Sequence, residues 1–193
     1  RDAVQLASAI SKLSGVRLGG IMGYEGHLLT LADPEEKRAK IREALGLLEH
    51  TRNLMWEAGL PCDIVSAGGT GCFRITASCD FITEVQAGGG IFGDPFYTEN
   101  CSVEELKPAL TVISTLVIRP SLTRAVFDAG KKSLNPHLLM PLAKGYPGIK
   151  PVSLSAEHFV VELENEALDL RIGDRVEFVV PYSDMTNVLH AGF

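Results

Sequence analysis

Ile64-Val65-Ser66-Ala67-Gly68-Gly69-Thr70-Gly71 is the stretch that decides the fold, because an apolar, β-branched run passes without a break into a glycine-rich loop. A buried strand followed at once by glycines is how parallel α/β sheets turn toward a helix. The strand is expected over Cys62 to Val65, and a helix is expected to begin near Cys72. Upstream, Asp33 is placed to cap a long helix, with Pro34 at its first position and Glu35 and Glu36 at the positive end of its dipole. Ile41, Ala44, Leu45, Leu48 and Met55 form the buried stripe of that helix, and Gly59 ends it.

Farther out the rhythm repeats. Ala3, Leu6, Ala7, Ile10 and Leu13 give one face to a first helix, and Val16 to Gly23 reads as a doubly buried strand. A third strand, Ile82 to Val85, leads into Gly88-Gly89-Gly90. Three parallel strands cannot close a barrel, which needs about eight. After roughly Lys107 the texture changes: Ala109–Ile118, Ala125–Phe127, His158–Leu163 and Val176–Val180 alternate or are β-branched, with Pro and Gly turns between them. Two regions are therefore expected, α/β over residues 1–106 and mostly β over residues 107–193. Asn135 to Pro151 reads as one long loop.

The glycine loop admits two readings. Successive backbone N–H groups released by glycine can converge on an anion, with the Thr70 hydroxyl as a further donor, or the same glycines can serve only a tight turn. The loop has no Lys after its last glycine and does not match GxGxxG, so neither a nucleoside triphosphate nor a dinucleotide is indicated. Tyr24 and His27 follow the first strand, where βα loops of barrels carry catalytic groups. Tyr97, in Gly93-Asp94-Pro95-Phe96-Tyr97, is either a ligand contact or a packed aromatic. Tyr182, Asp184 and His190 offer oxygen and nitrogen donors to a metal or a proton, or simply a solvated turn. His158 reads as structural, and Trp56 and the methionines as core.

Composition removes other classes. Of 193 residues 46% are hydrophobic and 22% charged, so a packed core rather than disorder is expected. The net charge of −6, with basic residues scattered, argues against nucleic acid and anionic membrane as partners. No apolar run reaches the ~18 residues of a spanning helix and no secretory signal is visible, which makes the cytoplasm the expected location. Cys62, Cys72, Cys79 and Cys101 have no CxxC spacing and are expected to be reduced. The chain starts at Arg1 and a helix begins almost immediately, so it reads as a piece of a longer protein.

Several segments, in order along nearly the whole chain, resemble the D-threonine aldolase and D-serine dehydratase-like family, a branch of the alanine racemase-type pyridoxal phosphate enzymes. They are Gly20-Ile21-Met22-Gly23-Tyr24-Glu25-Gly26-His27, Ile64 to Gly71, Thr83-Glu84-Val85-Gln86-Ala87-Gly88, Asp128-Ala129-Gly130-Lys131-Lys132, Leu154-Ser155-Ala156-Glu157-His158 and Ile172-Gly173-Asp174-Arg175-Val176. The resemblance implies the last part of a (β/α)8 barrel followed by a mostly β C-terminal domain, with a homodimer in the full-length form. It implies that Gly68, Gly69, Thr70 and Gly71 hold the phosphate of pyridoxal 5'-phosphate and that Tyr97 contacts the cofactor.

By the same resemblance a divalent metal is held by a His and by a Cys or Asp two residues later. The matching positions are Tyr182 and Asp184, so Asp184 is left as the oxygen ligand while the nitrogen ligand is gone. The family's cofactor-linking lysine lies on the first barrel strand. Lys12, Lys37, Lys40, Lys107, Lys131, Lys132, Lys144 and Lys150 all fall in helices, loops or the second region, so this piece alone is expected to be inactive. The expected activity of the parent is a lyase acting on a small D-configured β-hydroxy amino acid, by aldol cleavage or dehydration. An amino-acid racemase and a non-catalytic binding remnant are the alternatives.

Overall fold

A computed structural model describes residues 2–136 and 139–192. The chain divides into two compact units, Arg1–Gly88 and Gly89–Phe193.

In the first unit, α1 (Asp2–Ile10) precedes β1 (Gly20–Gly23), α2 (Pro34–Glu57), β2 (Ile64–Ala67), α3 (Phe73–Ala77) and β3 (Glu84–Val85). The strands form a parallel sheet in the order β1-β2-β3, with Gly20 opposite Ile64 and Ser66 opposite Glu84. The long helix begins where its chemistry requires. Asp33 Oδ1 accepts the Glu35 amide at 2.8 Å and the Glu36 amide at 3.0 Å, satisfying two of the donors that a helix start leaves open. Gly59, at φ +70°, turns the chain out of it. Ile41, Leu45 and Met55 are buried on its inner face, and Met55 packs with Ala7, Cys62 and Val65.

The strands are shorter than their apolar runs. Residues 16–19 lie outside β1, and the second strand is shifted from Cys62–Val65 to Ile64–Ala67. Parallel pairing is possible only where β1 and β2 run alongside one another, and their register begins at Gly20 with Ile64. A Cβ on Gly20 would meet the Ile64 carbonyl oxygen at 1.8 Å, so glycine permits this close approach.

In the second unit, β4 (Thr111–Ser121), β5 (Arg124–Phe127), β6 (Leu142–Ala143), β7 (Ile149–Leu154), β8 (Phe159–Leu163) and β9 (Arg175–Val179) form an antiparallel sheet in the order β6-β9-β4-β5-β8-β7, and α4 (Ser183–Asn187) follows. Its edge strands come near one another, so the sheet is nearly closed. The alternation of β8 and β9 places Phe159, Val161, Leu163, Val176 and Phe178 inside. Phe178 meets Phe127 and Phe159 edge-on at centroid distances of 5.0 and 5.1 Å.

The stretch 135–151 is not one loop: it contains β6 and the start of β7. His137 and Leu138 within it lie outside the described residues. Trp56 is not core either. It is 54% exposed, with the Arg52 guanidinium 4.5 Å over its ring, and Met22 and Met185 are exposed while Met55 is buried. Arginine stacking shields an aromatic face without burying it. All four cysteines are free thiols. Among the described residues no helix is long and apolar enough to cross a membrane.

Candidate functional site

The first unit brings the loop after β1 against the loop after β2. Gly69 has room for no side chain, since a Cβ there would stand 2.9 Å from Cε2 of Tyr24 and 3.2 Å from its hydroxyl. Tyr24 thus lies over the glycine loop while remaining 58% exposed. Gly68 takes φ +71°, and a Cβ on it would strike the Thr76 side chain at 2.6 Å. Only glycine fits at that position on both counts.

Cys72 donates its amide to the Gly69 carbonyl at 3.1 Å, closing a turn at the head of α3. That turn leaves the amides of Gly69, Thr70 and Gly71 without a protein acceptor among the described residues. All three residues are buried. Thr70 is 3% exposed, and its Oγ1 is buried with no partner among the described residues. An unmet buried hydroxyl is costly, so three amides and one hydroxyl gathered on one loop form a donor set that lacks its acceptor. The helix α3 has only five residues, so the donors themselves, rather than a helix dipole, characterise the loop.

Beside them stands a residue that sequence reasoning passed over. Glu25 is 3% exposed; its Oε2 accepts from the Cys72 thiol at 3.9 Å, and its Oε1 is buried without a partner. Burial raises the Glu25 carboxyl above the usual carboxylate range, partly opposed by its own amide, the Cys72 thiol, the Gly68 amide and His27. Burial likewise raises the Cys72 thiol, so that residue is a protonated thiol and not a reactive thiolate. The signal available in sequence was position alone, since Glu25 lies between the two residues singled out after β1. Tyr24, Glu25 and His27 also line a cavity of about 260 Å³ with Leu45, Leu48 and Thr51 of α2. His27 itself is exposed, on a short 3-10 turn over Gly26–Leu28.

The second unit gathers the other singled-out residues. Tyr97, 5% exposed on a π-helical turn over Phe96–Asn100, donates its hydroxyl to Asp184 Oδ2 at 2.7 Å. Fully buried Asp94 organises the surroundings: Oδ1 accepts the Tyr97 amide at 3.0 Å, and Oδ2 accepts the Ser183 amide at 2.8 Å and its hydroxyl at 2.7 Å. Phe96, Tyr97 and Tyr182 form an aromatic trio with centroids 4.9 to 5.9 Å apart. Burial, then the Asp184 carboxylate and Tyr182, drive the Tyr97 phenol far above the usual tyrosine range, so it acts as a neutral donor. Burial is also the first cause of the raised Tyr182 phenol. Gly89 admits the Tyr97 ring, which would lie 2.5 Å from a Cβ there.

Those donors do not suit a divalent ion. Asp184 Oδ2 is engaged by Tyr97, the neighbours are phenols, and among the described residues no three His, Cys, Asp or Glu side chains gather. His190 is drawn elsewhere, its Nε2 standing 2.9 Å from the Ser133 carbonyl. His158 is exposed and closes a turn in which its amide donates to Ser155 Oγ.

Residues 109–193 match the family described as putative serine dehydratase domain. The D-threonine aldolase of Arthrobacter sp is 32% identical over 195 residues, an alignment covering 99% of this chain and 52% of that protein. The crystal structure of D-threonine aldolase from Filomicrobium marinum superposes with a TM-score of 0.88 at 29% identity, over 97% of this chain and 51% of that one. An alanine racemase-like protein from Idiomarina loihiensis, 20% identical with a TM-score of 0.76 over 98% and 54%, shares the fold. The chain spans about half the length of the relatives it matches.

Proposed function

The chain is a homologue of the D-threonine aldolases and carries a putative serine dehydratase domain over residues 109–193, and from that premise we propose that it forms part of a pyridoxal 5'-phosphate-dependent lyase acting on small D-configured β-hydroxy amino acids. Residues 1–106 then belong to the cofactor-bearing (β/α)8 barrel and residues 107–193 to its β-rich companion domain, in a protein that works in the cytoplasm as a homodimer. One observation carries the reading: the glycine loop presents three buried amides and the Thr70 hydroxyl with no acceptor among the described residues.

The cofactor's phosphate monoester is an anion that meets that donor set, and its ring, when bound, withdraws electrons from the substrate's Cα. Gly69, Thr70 and Gly71 bind the phosphate through their amides, and Thr70 adds its hydroxyl. Gly68, fixed at positive φ against Thr76, sets the direction of the loop. Tyr24 covers it and limits the approach of water. Tyr97, held neutral and anchored by Asp94 and Asp184, keeps a fixed phenol within the second unit. Around Asp184 the carboxylate serves Tyr97, whose hydroxyl it accepts.

That same donor set favours a second reading, an amino-acid racemase on the shared scaffold. Incubating the protein that carries this chain with D-threonine, D-serine and 3-hydroxy-D-aspartate separates the two. The lyase reading expects aldehyde and glycine, or ammonia and a keto acid. Solvent deuterium entering Cα with loss of optical purity and no cleavage product selects the racemase.

A further inference from the structure

Among the described residues of the first unit, two side-chain polar atoms are buried without a partner, Thr70 Oγ1 and Glu25 Oε1, and both belong to the meeting of the β1 and β2 loops. The Thr70 hydroxyl is explained by a phosphate acceptor. Glu25 is not, because an anionic carboxylate beside a bound phosphate would add like-charge repulsion to the cost of an unpaired buried charge. Its other oxygen takes the Cys72 thiol, and the Gly68 amide is turned toward the carboxyl, so the side chain links one end of the glycine loop to the loop after β1.

Resting on the phosphate reading above, we propose that Glu25 is a positioning residue that seats the Gly68–Gly71 loop and must carry a proton whenever a phosphate ester is bound there. A neutral carboxyl keeps an acceptor for the Cys72 thiol and turns Oε1 or its twin into a donor. It also removes the repulsion that the ionised form would exert on the anion. Desolvation of the carboxyl already favours that state in the free protein. The groups that face the pair are His27 on Glu25's own turn, Cys72 at the head of α3, and Lys37 of α2, which acts on Cys72. None is a second carboxylate that could take over the proton.

Binding is then coupled to one proton. Below the Glu25 titration affinity is independent of it, and above it the dissociation constant rises toward tenfold per pH unit. The test measures binding of pyridoxal 5'-phosphate by calorimetry from pH 5.5 to 8.5, for wild type, Glu25→Gln and Glu25→Ala, with His27→Gln as a control for imidazole titration. The phosphate's own ionisation is common to all four, so the slopes are compared with one another. Glu25→Gln, a permanently neutral isostere, is expected to lose the Glu25 part of the slope and to bind more tightly than wild type at the alkaline end. Glu25→Ala is expected to bind about tenfold more weakly at low pH, because the loop loses its tether.

A cofactor-free readout accompanies this. The wild-type carboxyl, with its folded titration raised, contributes stability that is present below its unfolded value and lost as pH rises through the folded one, so the melting curve of Glu25→Gln falls less over that window. Bound cofactor with equal pH slopes in wild type and Glu25→Gln overturns the role of Glu25 and leaves the phosphate site standing. No binding by wild type at any pH overturns the phosphate site, and this inference with it.

Discussion

Replacing Thr70 by valine separates a binding role from a packing role because the two give opposite signs. The side chains have nearly the same shape, so the substitution removes a hydroxyl and leaves no cavity. Thr70 Oγ1 is buried without a partner among the described residues, and relieving an unmet buried polar group is worth about 1–3 kcal/mol. For a chain of this size each kcal/mol moves Tm by about 2–4 °C, so Thr70→Val is expected to melt at or above the wild-type temperature. In the complex the hydroxyl donates to a charged phosphate oxygen. Losing a hydrogen bond of that kind costs about 1.5–3 kcal/mol, or about 10- to 150-fold in Kd for pyridoxal 5'-phosphate. Differential scanning calorimetry and a cofactor titration on one preparation read both numbers. A lowered Tm with unchanged cofactor affinity would refute the reasoning, since Thr70 would then be holding the loop and not a ligand.

Other substitutions probe the frame around the site. Gly20→Ala drives a Cβ into the Ile64 carbonyl, so circular dichroism should show the first unit destabilised by several kcal/mol, about 3 or more. Asp94→Ala strips the acceptor from the Tyr97 amide and from both Ser183 donors; chemical denaturation should report a loss of about 3–5 kcal/mol. Phe178→Ala removes the ring between Phe127 and Phe159 and should cost about 3–5 kcal/mol by the same measurement. Tyr182→His, which places an imidazole two residues before Asp184, should create calorimetrically detectable Mn2+ binding that wild type lacks; uptake by wild type equal to the variant would reverse the reading of that donor set.

How far these features can be read from the chain depends on whether their cause is local. The start of α2 is local: an Asp-Pro-Glu-Glu run caps, initiates and charges a helix in four residues, and Asp33 does accept both amides. The glycine loop is local too, because a strand that enters four residues rich in glycine can only turn. The lengths of β1 and β2 are not, since each is trimmed to the register of its neighbour. In β7, Pro151 argues against a strand, yet the strand bears it at an irregularity in the pairing between Pro151 and Ser153 on the sheet edge. Glu25 was hidden for a similar reason: a glutamate in a polar loop looks solvated until the Cys72 turn closes over it. The bond from Tyr97 to Asp184 spans 87 residues, and no spacing announces it.

Either the loop after β2 grips a phosphate or its glycines only turn the chain. Amide chemical shifts of the 15N-labelled protein, recorded during titration with pyridoxal 5'-phosphate and separately with pyridoxal, ask this of each N–H individually. The amides of Gly69, Thr70 and Gly71 should shift strongly with the phosphorylated compound and stay in place with the unphosphorylated one. Equal responses to both compounds, or shifts confined to residues outside that loop, would contradict the phosphate grip.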